Sequence, residues 1–211
     1  MTVRAVLVGV LACAGTAWSQ HPTPARPVAP IVSPKWSDDA TRDAAGEVDT
    51  VMRRLHLGSE TSVADIGAGR GYYTLRLAKH VAHVYAEDIT PAYVTELRAR
   101  VDSAHLSDVT VTLGDTADPH LPPGSIDVAL LVHMYHEVSQ PYGLLTHICA
   151  ALKPGGRVAI VDLDRDILSH GTPRALLEGE LSAMGYHEQS FSRLGPAYLA
   201  VFTGACRTTS Q

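Results

Sequence analysis

Three glycines two residues apart, Gly67, Gly69 and Gly71, stand in the stretch VADIGAGRGYYT between Val63 and Thr74, after a short apolar run and before a helical pattern. A turn without Cβ atoms lets a ligand come close to the backbone, and the N–H groups opening the next helix offer positive potential to an anionic group. Acids recur at equivalent places downstream. Asp88 closes the second apolar run, with Glu87 beside it, and Asp115 stands in GDT after the third. Carboxylates so placed accept hydrogen bonds from the hydroxyl or amino groups of whatever the glycine turn holds. The segment HMYHE, His133 to Glu137, follows the fourth apolar run. Two imidazoles and a carboxylate so close together suit removal of a proton from an oxygen or nitrogen nucleophile, since histidine titrates near neutrality. His136 is the candidate catalytic base, with Glu137 orienting it or capping the following helix. The alternative is a structural His136 that bonds backbone groups and shapes the loop. A metal would need a third ligand, for which Asp162 is only a guess, so no metal is expected.

Positioning these groups takes alternating strands and helices. Val48, Val51, Met52 and Leu55 recur at helical spacing, predicting an amphipathic helix over 40–57 that stops at Gly58. Strands are expected at 62–67, 81–88, 109–113, 126–132 and 157–163, the fourth so continuously apolar that both its faces must be covered. Helices fall between them: YYTLRLAKHV, a segment opened by Thr90 and Pro91, and 139–152 ending at Lys153, Pro154, Gly155 and Gly156. Thr172 and Pro173 cap a last helix, and two final strands near 187–193 and 197–204 have no helix between them, so they should pair antiparallel. This order describes a single-domain α/β fold, a doubly wound Rossmann-like sheet. Such sheets bind ligands beyond the carboxyl ends of their strands, at the switch point next to the first turn.

Two classes of cofactor use such a turn. A dinucleotide fingerprint needs a third glycine three residues after Gly69, where Tyr72 stands, and this spacing decides against NAD. Taken together, DIGAGRG, the acid in VYAEDITP, GDT at 114–116, IDVALL and LKPGGR resemble the class I S-adenosylmethionine-dependent methyltransferases over about residues 37–205. The resemblance implies a seven-stranded sheet of order 3-2-1-4-5-7-6 with strand seven antiparallel, and S-adenosylmethionine as cofactor. It places the methionine moiety at Asp65, Gly67, Ala68, Gly69 and Gly71, the ribose at Asp88 and the adenine beside Ile89. Asp115, with Thr116 adjacent, would accept the adenine amino group, and His133 would line the sulfonium pocket. Glu87 next to Asp88 leaves open which carboxylate takes the ribose. Tyr72 and Tyr73 offer ring faces or hydroxyls near a cationic sulfur, with packing on the sheet as the alternative for Tyr73. Arg70 either pairs with the methionine carboxylate or faces solvent.

Residues 1–19 carry Arg4, the apolar run Ala5 to Ala17 and small residues at Ala17 and Ser19, the pattern of a cleaved secretory signal peptide, so a periplasmic protein is expected. Residues 20–36 hold five prolines, at 22, 24, 27, 30 and 34, and read as a linker, with 206–211 as a tail. The formal charge of -5 disfavours nucleic acid, and no integral membrane segment is expected in the mature chain. Cys13, Cys149 and Cys206 are too few for a disulfide framework, and Cys149 falls on an apolar helix face as a packing residue. The expected activity is methyl transfer to a small-molecule acceptor, because only residues 164–172 separate strand five from its helix and leave little room for a substrate-covering insertion. The alternative is an exported, non-catalytic domain that binds an adenosyl ligand or metabolite, since S-adenosylmethionine is made in the cytosol.

Overall fold

The computed structural model describes residues 25–32 and 38–204; the expected signal peptide at 1–19, the rest of the expected linker, the expected tail, and residues 37 and 205 lie outside them. In chain order the elements are α1 (Asp39–Ala45), α2 (Glu47–Arg54), β1 (Ser62–Ile66), α3 (Tyr72–Leu77), β2 (His83–Asp88), α4 (Pro91–Ser103), β3 (Val109–Leu113), β4 (Ile126–Val132), α5 (Pro141–Ala151), β5 (Leu152–Leu163), α6 (Arg174–Ala183), β6 (Tyr186–Leu194) and β7 (Ala197–Gly204). Single 3-10 turns lie at Tyr135–Glu137 and Ile167–Ser169. The sheet has seven strands in the order β3-β2-β1-β4-β5-β7-β6, parallel except for β7, which runs antiparallel to both neighbours.

The continuous apolar run of β4 is explained by two cores. Ala129 and Leu131 face one cluster with Ile66, Ile160, Leu145, Ile148, Leu177 and Leu181 from β1, β5, α5 and α6. Val128 and Leu130 face the other with Val63, Val161, Val51, Leu77 and Leu97 from β1, β5 and α2 to α4. Alternate residues of one strand thus bury on opposite faces, and each fully buried leucine contributes about 1.5–3 kcal/mol.

Three local expectations need correction. The helix over 40–57 is two helices, because Gly46 adopts φ +66 and ends α1 before α2 begins. The fifth strand starts at Leu152, which pairs with Ile126 before a register shift brings Arg157 opposite Val128, so LKPGG is an irregular strand start. Thr90 is the N-cap of α4 as expected, without a side-chain cap bond, whereas the N-cap of α6 is Pro173 and Thr172 sends its hydroxyl to Asp162. Cys149 is disulfide-bonded besides packing against the core.

The proline-rich stretch is not a free spacer over residues 25–32. Ala29 is buried and donates its N–H to the His136 carbonyl at 3.0 Å. Arg26 Nε donates to Glu180 Oε1 at 2.7 Å, and a second guanidinium nitrogen reaches the Val138 carbonyl at 2.9 Å. Glu180, buried in α6, also accepts the Tyr135 hydroxyl at 2.8 Å. A strap of chain is therefore pinned across the HMYHE turn. Among the described residues no helix is long and apolar enough to cross a membrane.

Candidate functional site

The carboxyl ends of β1, β2 and β4 open into a cavity of about 820 Å³. Its walls include Asp65, Gly67, Ala68 and Gly69 from the glycine turn, Tyr72 from α3, and Asp88 and Ile89 after β2. Asp115 and Thr116 after β3, and His133 and Glu137 after β4, complete the groups expected there. Gly71 and His136 do not line it. Gly71 closes the turn as the residue before α3, and His136 is buried behind the cavity wall.

Backbone geometry explains the glycines. Gly67, Gly69 and Gly71 all have positive φ, at +66, +57 and +83. A Cβ on Gly67 would stand 2.9 Å from two Met134 side-chain carbons, so a side chain there would fill the space between turn and β4. The turn is tied down by acids. Gly69 N–H donates to Asp88 Oδ2 at 2.8 Å, Thr90 N–H to Asp88 Oδ1 at 2.8 Å, and Gly67 N–H to Glu87 Oε2 at 3.4 Å. Asp65 accepts the Thr74 hydroxyl at 2.6 Å, and burial lifts its carboxyl to about 6.

Glu87 and Asp88 divide their work. Both Asp88 oxygens hold a backbone donor, whereas Glu87 Oε1 is buried without a hydrogen-bond partner in the cavity wall. Burial, then the neighbouring charge of Asp88, pushes the Glu87 carboxyl up to about 8, despite the Gly67 N–H, with Asp65 and Asp115 adding to the rise. Folding therefore favours protonated Glu87. That stabilisation is complete below the ordinary glutamate range and is lost as pH rises through about 8. The gap in melting temperature between Glu87→Gln and the unaltered protein is expected to widen in favour of the variant from pH 4 to pH 9; a constant gap would remove the assignment.

Asp115 is held ionised by the N–H groups of Ala117 and Asp118, which its Oδ1 accepts at 2.9 and 2.8 Å. Both tyrosines line the cavity, and their hydroxyls have partners in the first two helices. Tyr72 donates to Asp43 at 2.9 Å under the guanidinium groups of Arg42 and Arg76, 3.6 and 3.9 Å from its ring centroid. Its ring already carries cations of the protein's own. Tyr73 donates to Glu47 Oε1 at 2.9 Å, and Glu47 Oε2 meets His133 Nε2 at 3.0 Å. Burial raises the Glu47 carboxyl, but the bonds and charge of His133 and the Tyr73 hydroxyl outweigh it and leave it below the ordinary range. Arg70 pairs with Glu96 on α4 at the surface and is absent from the cavity wall.

Glu47 was not foreseen, and nothing in local spacing marks it. The same holds for Met134, for Ile31 and Val32 of the strap, and for the β6–β7 turn at Gly195 and Pro196, all of which line the cavity.

Comparison with known proteins agrees with this geometry. Residues 64–160 match the family described as a methyltransferase domain. Residues 64–160 thus carry a methyltransferase domain, on the fold of the SAM-dependent methyltransferases. It is 33% identical over 108 residues to a methyltransferase of Aspergillus fumigatus, an alignment covering 50% of this chain and 32% of that protein. The chain spans half or less of the length of such curated relatives. Its fold matches a SAM-dependent methyltransferase from Aquifex aeolicus with a TM-score of 0.69 at 21% identity, over 79% of this chain and 97% of that one. It also matches the [4+2]-cyclase SpnF with a TM-score of 0.63 at 21% identity, over 74% of this chain and 64% of the other. The cavity has features that suit S-adenosylmethionine: a turn free of Cβ atoms and, in Glu87, a buried carboxyl oxygen left without a partner.

Proposed function

We propose that the protein binds S-adenosylmethionine in this cavity and transfers its methyl group to a small-molecule acceptor. The observation that carries the reading is the glycine turn clamped to β2 by Asp88, with further acids at Asp65, Glu87 and Asp115 in the same cavity. Asp88 and Glu87 offer acceptors to the ribose hydroxyls, Asp115 offers one to the adenine amino group, and Ile89 an apolar face. The bound sulfonium supplies an already electrophilic methyl group. What remains for the protein is to hold nucleophile and methyl in line and keep water out, and such positioning accounts for a large share of barrier reduction. His133, fixed by Glu47, and Glu137 face the space left for the acceptor. The cavity's size lies within the range of small-molecule sites.

Asp88→Ala removes acceptors from both ligand and turn, and is expected to weaken S-adenosylhomocysteine at least tenfold in calorimetry, about 1.4 kcal/mol. Unchanged affinity would remove Asp88 from the site. A second reading is a binding domain or a catalyst of other chemistry on the same scaffold; the likeness to a cyclase favours keeping it, since fold does not fix function. Methyl transfer from labelled cofactor separates the two.

Export to the periplasm is part of the proposal. The leader at residues 1–19 motivates it, and the disulfide at Cys149 supports it, because such bonds persist in oxidising compartments. Residues 1–36 fused to a reporter active only outside the cytoplasm are expected to give signal, and silence would contradict export.

A further inference from the structure

His136 is buried at 1% exposure, and its two ring nitrogens face different surroundings. Nδ1 lies 3.1 Å from both oxygens of Asp162, so it carries the proton and donates. Asp162, wholly buried, cannot turn away: it also accepts the Thr172 hydroxyl at 2.7 Å and the Leu163 N–H at 2.8 Å. Nε2 is left with its lone pair and has no hydrogen-bond partner. It does not point into hydrocarbon. A Glu137 oxygen lies 3.9 Å away, too far for a hydrogen bond, and the His170 ring stands edge-on to the His136 ring with centroids 5.5 Å apart. One ligand atom from each of His136, Glu137 and His170 lies within 4.8 Å of the other two.

We propose that His136 Nε2, the Glu137 carboxylate and His170 form a binding site for a first-row divalent cation of the zinc type. Two imidazoles and one carboxylate match the ligand preference of zinc, cobalt(II) or iron(II), and not of magnesium or calcium, which favour oxygen sets. Asp162 behind His136 is the carboxylate that such sites place on the distal ring nitrogen, where it fixes the tautomer and turns the lone pair toward the ion. The guess of Asp162 as third ligand is thereby corrected, since it occupies the opposite nitrogen. Donors around a tetrahedral zinc at ~2.1 Å stand ~3.4 Å apart, so the three groups need to close by roughly 1 Å. Glu137 and His170 are the partly exposed members and supply that movement. Three protein donors leave a position open, and because Glu137 also lines the main cavity, that position is suited to an oxygen, nitrogen or sulfur lone pair of a molecule bound there. The ion site stands on its own geometry; the role of its open position as a holder of the methyl acceptor rests on the function proposed above.

The test is a cobalt(II) and zinc titration of the whole chain after chelator treatment, with S-adenosylhomocysteine affinity measured on the same samples. One equivalent of cobalt with visible d–d absorption is expected, displaced by zinc. His170→Gln, on a loop, should weaken the metal at least tenfold while keeping its S-adenosylhomocysteine affinity, and Asp162→Asn should weaken it 10–100-fold. Circular dichroism confirms that each variant is folded, and the His170 variant suffices if the buried one is not. No cobalt spectrum, equal affinity in His170→Gln, or thiolate charge-transfer bands in place of the expected spectrum would overturn the site. Metal binding without S-adenosylhomocysteine binding would contradict the proposed function and leave the site standing.

Discussion

Alanine at Gly71 is expected to lower the free energy of unfolding by about 3 kcal/mol, from a left-handed backbone that alanine resists and from overpacking against the core. Gly71 has φ +83, and a Cβ there would overlap the Leu97 Cδ1. Leu97 is fully buried in α4, so it has no empty volume to move into. The loss corresponds to a fall of about 10 °C in melting temperature for a domain of this size. Gly67→Ala meets only the flexible Met134 side chain, so it should cost less stability and act on the ligand instead. Equal melting temperatures for Gly71→Ala and the unaltered protein would show that the turn does not pack against α4 in this way.

Removing the strap's anchor is expected to cost a similar amount. Arg26 and Glu180 form an ion pair whose side chains are 5% and 4% exposed. Arg26→Ala leaves Glu180 with the Tyr135 hydroxyl as its remaining partner, and breaking a buried pair from one side costs about 3–5 kcal/mol. Release of the strap would admit water to Glu180 and hold the loss near the lower figure. It would also free the Glu137 oxygen from the Val32 N–H, which it accepts at 3.2 Å. Thermal unfolding together with limited proteolysis reads both effects, lower stability and earlier cleavage within residues 25–32. A variant as stable and as resistant as the unaltered protein would mean that the strap does not cover the HMYHE turn.

The parts of this fold legible in the sequence are those in which local pattern and tertiary demand coincide. β3 and β4 occupy the expected 109–113 and 126–132, β3 because its alternating pattern stops at Gly114 and β4 because its apolar run starts after Gly124 and Ser125. The glycine turn was legible because positive φ at three alternate positions favours glycine at each. Gly46 lies ahead of Val48, the first residue of the apolar pattern, where nothing periodic marks the break that its backbone imposes. Pairings across long sequence distance left no local trace. Glu47 and His133 are 86 residues apart, and Arg26 and Glu180 are 154 apart. In the same way His136 and Glu137 were visible as a cluster. The orientation of the ring by Asp162 and the approach of His170 follow only from how β5 and the loop after it return past the end of β4.

Isothermal titration of the purified, correctly processed protein with S-adenosylmethionine, S-adenosylhomocysteine and NAD tests the central claim most directly. The expected result is one binding site per chain for both adenosyl ligands, no heat with NAD, and at least a tenfold loss of affinity in Asp88→Ala. Absence of binding by either adenosyl ligand, or tighter binding of NAD, would contradict it.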